Sequence, residues 1–149
     1  MKPLEAAAGA VVVVAVLWDA FESIVLPRRV TRRFRLTRLF YASTWRPWAA
    51  AARRLPAGKP RQALLSAFGP LSLLMLVGCW ALGLIFGFAL LHTATRTAPG
   101  GAAMDLYMSG TTFFTLGLGD VAPHTAAARV VTVIEAGVGF GFLALMVGY

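Results

Sequence analysis

Residues 111–120 read TTFFTLGLGD, an apolar run in which two glycines bracket a leucine and one carboxylate closes the segment. No regular element gains from it, because each glycine in a helix interior costs roughly 1 kcal/mol relative to alanine. Glycine does reach φ > 0 without a Cβ clash, so alternating residues can turn successive carbonyls toward one side. Irregular backbone is therefore expected here, and the flanking sequence decides where such backbone can sit.

The flanks are those of a membrane protein. Of 149 residues, 58% are hydrophobic and 13% charged, against about 25% charged in soluble domains. Residues 4–26, 63–93 and 126–149 are apolar runs, each long enough to cross a bilayer as a helix, which takes about 20 residues. Residues 102–115 are too short to cross. Non-helical backbone at membrane depth is tolerated only where protein buries it or where it lines a watery cavity. A short helix followed by Gly-Leu-Gly thus reads as a re-entrant loop.

The 14 Lys and Arg outnumber the 6 Asp and Glu. In a soluble protein such an excess points to nucleic acid. Here eleven of the fourteen fall in residues 27–62, which contain no acid, so the basic segment marks the cytoplasmic side and excludes that reading. The N-terminus is then outside, the second span runs outward, the short helix enters from outside and the third span returns inward. This predicts a multi-pass protein of the plasma (inner) membrane. The first run, with a single Lys before it and Pro-Arg-Arg after it, reads as a retained span rather than a cleaved leader. Cys79 stands alone, so no intrachain disulfide forms, and it reads as a small packing residue.

Within the basic segment, Val30, Phe34, Tyr41, Trp45, Trp48, Ala52 and Leu55 fall within about 80° of one another on a helix. Most arginines lie opposite. That is the pattern of a helix in the inner-leaflet interface, with Arg28, Arg29, Arg32, Arg35 and Arg38 facing lipid, anionic headgroups included. Pro47 predicts a break near residues 43–47. Arg29, Arg32, Arg35 and Arg38 also repeat every third residue, as in a voltage sensor, but Arg28 and Arg33 suit an interfacial face better. Asp19 and Glu22 share one face of the first span, as ion-pair partners of Arg28, Arg29 or Arg32 or as a proton or ion site.

Preceded by a short apolar helix and flanked by two spans, TTFFTLGLGDVAP resembles the signature of the potassium channels, T-x-G-[YFL]-G-D. The resemblance runs without a gap into the third span, where Pro123, Arg129 and Gly139 fall where simple two-helix channels carry Pro, Arg and a hinge Gly. It implies an all-α membrane protein with an outer helix (63–93), pore helix (102–114), filter (115–119) and inner helix (126–149). A peripheral helix (1–26) and a basic interfacial segment (27–62) precede this pore domain. Four copies would surround one pore.

The carbonyls of Thr115, Leu116, Gly117 and Leu118 would then coordinate potassium ions, the permeant species, with Gly119 completing the turn and Asp120 ringing the outer mouth. No cofactor and no covalent chemistry are implied. Leu118 stands where an aromatic is usual, Leu116 where Val or Ile is usual, and Phe114 where Thr is usual. A weakly selective cation channel and a non-conducting scaffold or silent subunit therefore stay open as alternatives. An intramembrane hydrolase using Ser109 with His124 does not fit, since YMSG lacks the glycine two residues before the serine.

On the inner helix the resemblance puts Thr132, Ala136, Phe140, Leu143 and Val147 on the pore-facing stripe, with Phe140 and Val147 as candidates for a dewetting constriction. Gly139 is a hinge or a close-contact point. Glu135, about 140° from Phe140, points away from the pore. It is expected to support the filter by accepting a hydrogen bond from Thr111 or Thr112. Tyr107 is expected to bond Asp120, Asp105 to sit at the favourable end of the pore-helix dipole, and His92 and His124 to lie at the outer surface.

Overall fold

A computed structural model describes residues 2–24, 36–56, 58–95 and 100–148. All the elements among them are helices: α1 (Pro3–Ile24), α2 (Leu36–Arg53), α3 (Lys59–Thr95), α4 (Ala102–Phe113) and α5 (Ala126–Gly148). Three of them, α1, α3 and α5, are long and apolar enough to cross a membrane. At about 1.5 Å per residue α3 is roughly 55 Å long, well beyond the ~30 Å hydrocarbon core. By the same measure α4 spans only about 18 Å and cannot cross.

The chain divides into two compact units, one of Met1–Ala15 with Leu82–Tyr149, the other of Val16–Ala81. In the first, α1 runs antiparallel to α3. The Lys2 amide donates to the Ala94 carbonyl at 3.2 Å, and further along two glycines let the backbones meet. A Cβ on Gly9 would stand 2.7 Å from the Gly87 carbonyl oxygen, and one on Gly87 would stand 2.8 Å from Val13 Cγ2. Small residues at such crossings let dispersion, the main attraction between helices in lipid, act at close range. Within the same unit Thr125 caps α5, its hydroxyl oxygen accepting from the Ala128 amide at 3.1 Å. The buried stripe of α5 is Ala128, Glu135, Gly139 and Phe142.

In the second unit α2 docks on α3 through aromatic rings. The rings of Tyr41, Trp45 and Trp48 lie 6.3, 4.9 and 5.8 Å from that of Phe68, and the Trp48 indole donates to the Leu64 carbonyl at 2.9 Å. Ala52 is buried on the same helix, while Arg38, Arg46 and Arg53 are exposed. Val30, Phe34, Arg28, Arg29, Arg32, Arg33 and Arg35 lie outside the described residues.

The break expected near residues 43–47 is absent, and α2 runs through Pro47 without interruption. Proline removes one backbone bond and crowds the preceding turn. Here Tyr41 and Trp45 on one side of it and Trp48 on the other are all seated on Phe68, so both halves of the helix are held in line.

Asp19 begins α2 from outside it. Its Oδ2 accepts from the Thr37 amide at 3.2 Å, the Thr37 hydroxyl at 2.8 Å and the Trp80 indole at 2.9 Å. One carboxylate oxygen thus ties α1, α2 and α3 and satisfies an orphan donor in the first turn of α2. Glu22 accepts from the Trp18 indole at 2.7 Å.

The Gly9 crossing is testable. Gly9→Ala is expected to cost about 1–3 kcal/mol, the range for overpacking, and to lower the midpoint of thermal unfolding in detergent. Gly78→Ala, whose methyl meets nothing within 4 Å, is expected to leave the midpoint unchanged or raised.

Candidate functional site: helix α4 and the glycine turn that follows it

Helix α4 starts at Gly101, which holds φ 74°, and its buried residues include Asp105, Ser109 and Phe113, spaced by four on one stripe. This stripe faces α3 and α5. The Thr93 hydroxyl of α3 donates to Asp105 Oδ2 at 2.9 Å. Ser109 Oγ lies 2.7 Å from the Ile85 carbonyl oxygen and is also hydrogen-bonded to Glu135 Oε1. The Phe113 ring lies 5.7 Å from that of Phe142.

The tightest point is Gly139. A Cβ there would overlap the Phe113 carbonyl oxygen and lie 2.9 and 3.0 Å from Phe113 C and Cα. Main chain thus meets main chain with no side chain between. Helix α5 is unbroken through the position, and the close contact by itself requires glycine there. Gly137 and Gly141 meet nothing within 4 Å.

After Phe113 the chain turns. The amides of Leu116 and Gly117 both donate to the Thr111 carbonyl, at 2.8 and 3.5 Å, and the Thr115 amide donates to Thr112 at 3.0 Å. In a trans peptide the carbonyl points opposite to the following N–H. The carbonyls of Thr115 and Leu116 are therefore turned away from α4. Keeping successive carbonyls on one side requires alternating backbone hands, and Thr115, Gly117 and Gly119 have φ of 57°, 55° and 78° while Leu116 and Leu118 do not have positive φ. For Thr115, a β-branched residue, this costs on the order of 1–3 kcal/mol. Thr111 and Thr112 hold the strand through their main-chain carbonyls, while the Thr111 hydroxyl donates back to Met108.

Glu135 does not bond Thr111 or Thr112. Its partners are Ser109 and His92, the latter with Nε2 2.7 Å from Oε2. Both Glu135 and His92 are fully buried, so His92 is not at a surface, whereas His124 is exposed. Ser109 is likewise buried and turned to Glu135, which removes it from any dyad with His124. The signal for the pairing was present as ionisable or hydroxyl residues at 92, 109 and 135 inside apolar segments, but nothing in one dimension pairs them.

Beyond the glycine turn the Tyr107 hydroxyl donates to Asp120 Oδ2 at 2.7 Å, and Asp120 Oδ1 accepts from the Val121 amide at 3.1 Å. Leu116 and Leu118 are 62% and 61% exposed. On α5, Phe140 and Val147 are exposed and Thr132, Ala136 and Leu143 half-buried.

The site is thus a short helix packed against two helices long enough to cross a membrane, followed by a glycine turn whose Thr115 and Leu116 carbonyls point away from it. Residues 72–149, more than half of the chain, match the ion channel family of the two-transmembrane potassium-channel type, and the chain belongs to that family. It is an ion channel subunit and a multi-pass membrane protein. No curated protein and no solved structure matches it.

Two outcomes follow from this geometry. Gly139→Ala is expected to displace α4, seen as loss of a monodisperse peak in gel filtration, whereas Gly137→Ala elutes as wild type. The hydrogen bond to Asp120, then desolvation and the Asp120 charge, raises the Tyr107 phenol above its ordinary 10.0. A raised phenol keeps its bonded, protonated form below pH 10 and loses it as pH climbs through the raised value. Currents are therefore expected to be flat between pH 7 and 9, while Tyr107→Phe reduces them throughout that range.

Proposed function

We propose that four copies of the chain surround a central axis and conduct potassium passively through rings of filter carbonyls. The observation that carries this reading is the turned-out pair of carbonyls at Thr115 and Leu116, together with the alternating positive φ of Thr115, Gly117 and Gly119. One chain supplies one such strand. Four strands facing inward would replace a cation's hydration shell with stacked oxygens, potassium residing at Thr115, Leu116, Gly117 and Leu118. Asp120 would concentrate cations at the outer mouth.

The inner helix is consistent with this assembly. Only its narrow stripe is buried within one chain, which leaves Val130, Val133, Ile134, Phe140 and Val147 exposed. Apolar residues around the rest of α5 fit a helix that meets lipid, its neighbours and the pore in turn. Thr132, Ala136, Phe140, Leu143 and Val147 are proposed to line the inner vestibule, with Phe140 and Val147 narrowing it.

In this arrangement the protein lies in the plasma membrane with its N-terminus outside and its basic segment and C-terminus cytoplasmic, by the charge of residues 27–62. Arg28, Arg29, Arg32, Arg35 and Arg38 would meet anionic headgroups of the inner leaflet. No nucleic acid and no cofactor enter the function.

The test is flux from proteoliposomes holding purified protein. A potassium gradient is expected to drive uptake of a tracer cation, with sodium at least roughly tenfold less permeant, a difference of about 1.4 kcal/mol. Equal permeation of the two ions would replace potassium selectivity by general cation conduction, and no flux would favour a silent scaffold. Asp120→Asn is expected to lower unitary current at low salt and to have little effect at high salt, where the mouth charge is screened.

A further inference from the structure

Ser109, Glu135 and His92 sit on three different helices, and each is fully buried. Their contacts form a chain: Ile85 carbonyl oxygen to Ser109 Oγ, 2.7 Å; Ser109 Oγ to Glu135 Oε1; Glu135 Oε2 to His92 Nε2, 2.7 Å. The direction of each bond is constrained by how many protons are present. A serine hydroxyl carries one proton, a carbonyl only accepts, and an ionised carboxylate only accepts.

If Glu135 were ionised, the Ile85 carbonyl and Oε1 would compete for the single Ser109 proton. One of the two contacts would then set lone pair against lone pair at hydrogen-bonding distance, in a site closed to solvent. A protonated His92 would supply charge but no second proton at Ser109. With the acid proton on Oε1 every contact becomes a bond: Glu135 donates to Ser109, Ser109 donates to Ile85, and His92 Nε2–H donates to Oε2.

The charged groups of the described residues do not change this count. Among the described residues, Asp105 on α4 accepts from Thr93, Glu5 on α1 pairs with Lys2, Arg129 on α5 donates to the Pro123 carbonyl, and Asp120 accepts from Tyr107.

We propose that Glu135 is a neutral carboxylic acid acting as hydrogen-bond donor to Ser109, and that this bond is what positions the pore helix, and through it the filter strand, against α3 and α5. Ser109 is one helical turn before Phe113, after which the filter begins. Glu135 is one turn before Gly139, on which Phe113 rests. The bond and the backbone contact therefore fix α4 at two successive turns. Glu135 touches no permeant ion and is a positioning residue. Its role in conduction rests on the pore-helix reading of α4, whereas its protonation does not.

Infrared spectra of reconstituted wild type and Glu135→Gln at neutral pH test the proton directly. The carbonyl stretch of a protonated carboxylic acid is expected in the wild type and is expected to be lost in the variant; a difference showing only carboxylate bands overturns the proposal.

Function supplies the second arm. A glutamine amide can donate to Ser109 and its oxygen accept from His92, so Glu135→Gln is expected to retain the potassium-to-sodium permeability ratio. Glu135→Leu and Ser109→Ala each lose roughly tenfold in that ratio, the scale of one buried hydrogen bond, and the double variant loses no more than either alone. A Glu135→Gln channel as damaged as Glu135→Leu refutes the donor role. If the wild type passes no ions, or Glu135→Leu does not fold, the infrared comparison and the unfolding midpoint of Glu135→Gln decide. A midpoint equal to wild type supports the neutral acid, and a clearly lower one refutes it.

Discussion

Where Phe113 meets Gly139, the main chains of α4 and α5 are separated by nothing but van der Waals contact. Both helices belong to the same unit and run in the same direction, so residues one turn earlier on each also face one another. Those residues are Ser109 and Glu135. On the other side of the crossing, the Phe113 ring reaches Phe142. A register set by one glycine thus places a polar pair and an aromatic pair on either side of it. The glycine turn leaves α4 directly after Phe113 and takes its position and direction from this crossing.

The same region shows how a membrane protein handles polar groups. In hydrocarbon each unpaired backbone group costs several kcal/mol, and a helix ends with carbonyls that have no partner in the helix. At the end of α4 the Thr111 and Thr112 carbonyls accept the amides of Thr115, Leu116 and Gly117. Terminating the helix and shaping the turn at residues 115–117 are therefore one event. Turning the amides inward commits the Thr115 and Leu116 carbonyls outward, and the strained backbone of Thr115 is held by these bonds. Leu118, in place of an aromatic ring, brings no hydroxyl of its own to this framework. The side-chain hydrogen bonds lie instead behind α4, between Ser109, Glu135 and His92, and beyond the turn, between Tyr107 and Asp120.

In the other unit an acidic side chain again joins helices. Asp19 receives donors from Thr37 and Trp80 on one oxygen, starting α2 and joining it to α1 and α3, while the rings on α2 close around Phe68. That ring cluster is why α2 continues through a proline that, on backbone energetics alone, marks a break. The exposed Arg38, Arg46 and Arg53 remain available to whatever lies against that helix.

Much of the architecture was legible in one dimension, because a bilayer imposes its own thickness. Three runs long enough to cross, one too short, a basic segment and a Gly-Leu-Gly turn leave few arrangements, and the helices fall close to the runs that predicted them. The Tyr107 to Asp120 contact was also within reach, since the two residues lie on either side of one short loop. The partners of Glu135, the burial of His92 and the continuity of α2 were not. Each depends on which faces of distant helices meet, and hydropathy records that a residue is apolar or polar without recording its neighbour. Hydropathy and sequence by themselves determined that this protein has helices that cross a membrane and a glycine turn after a helix too short to cross, since solvent and backbone sterics act on every residue locally. Only the tertiary structure decided that Gly139 admits the backbone of α4 and that Glu135 finds Ser109 and His92, because close approach and proton sharing exist between helices and in none of them alone.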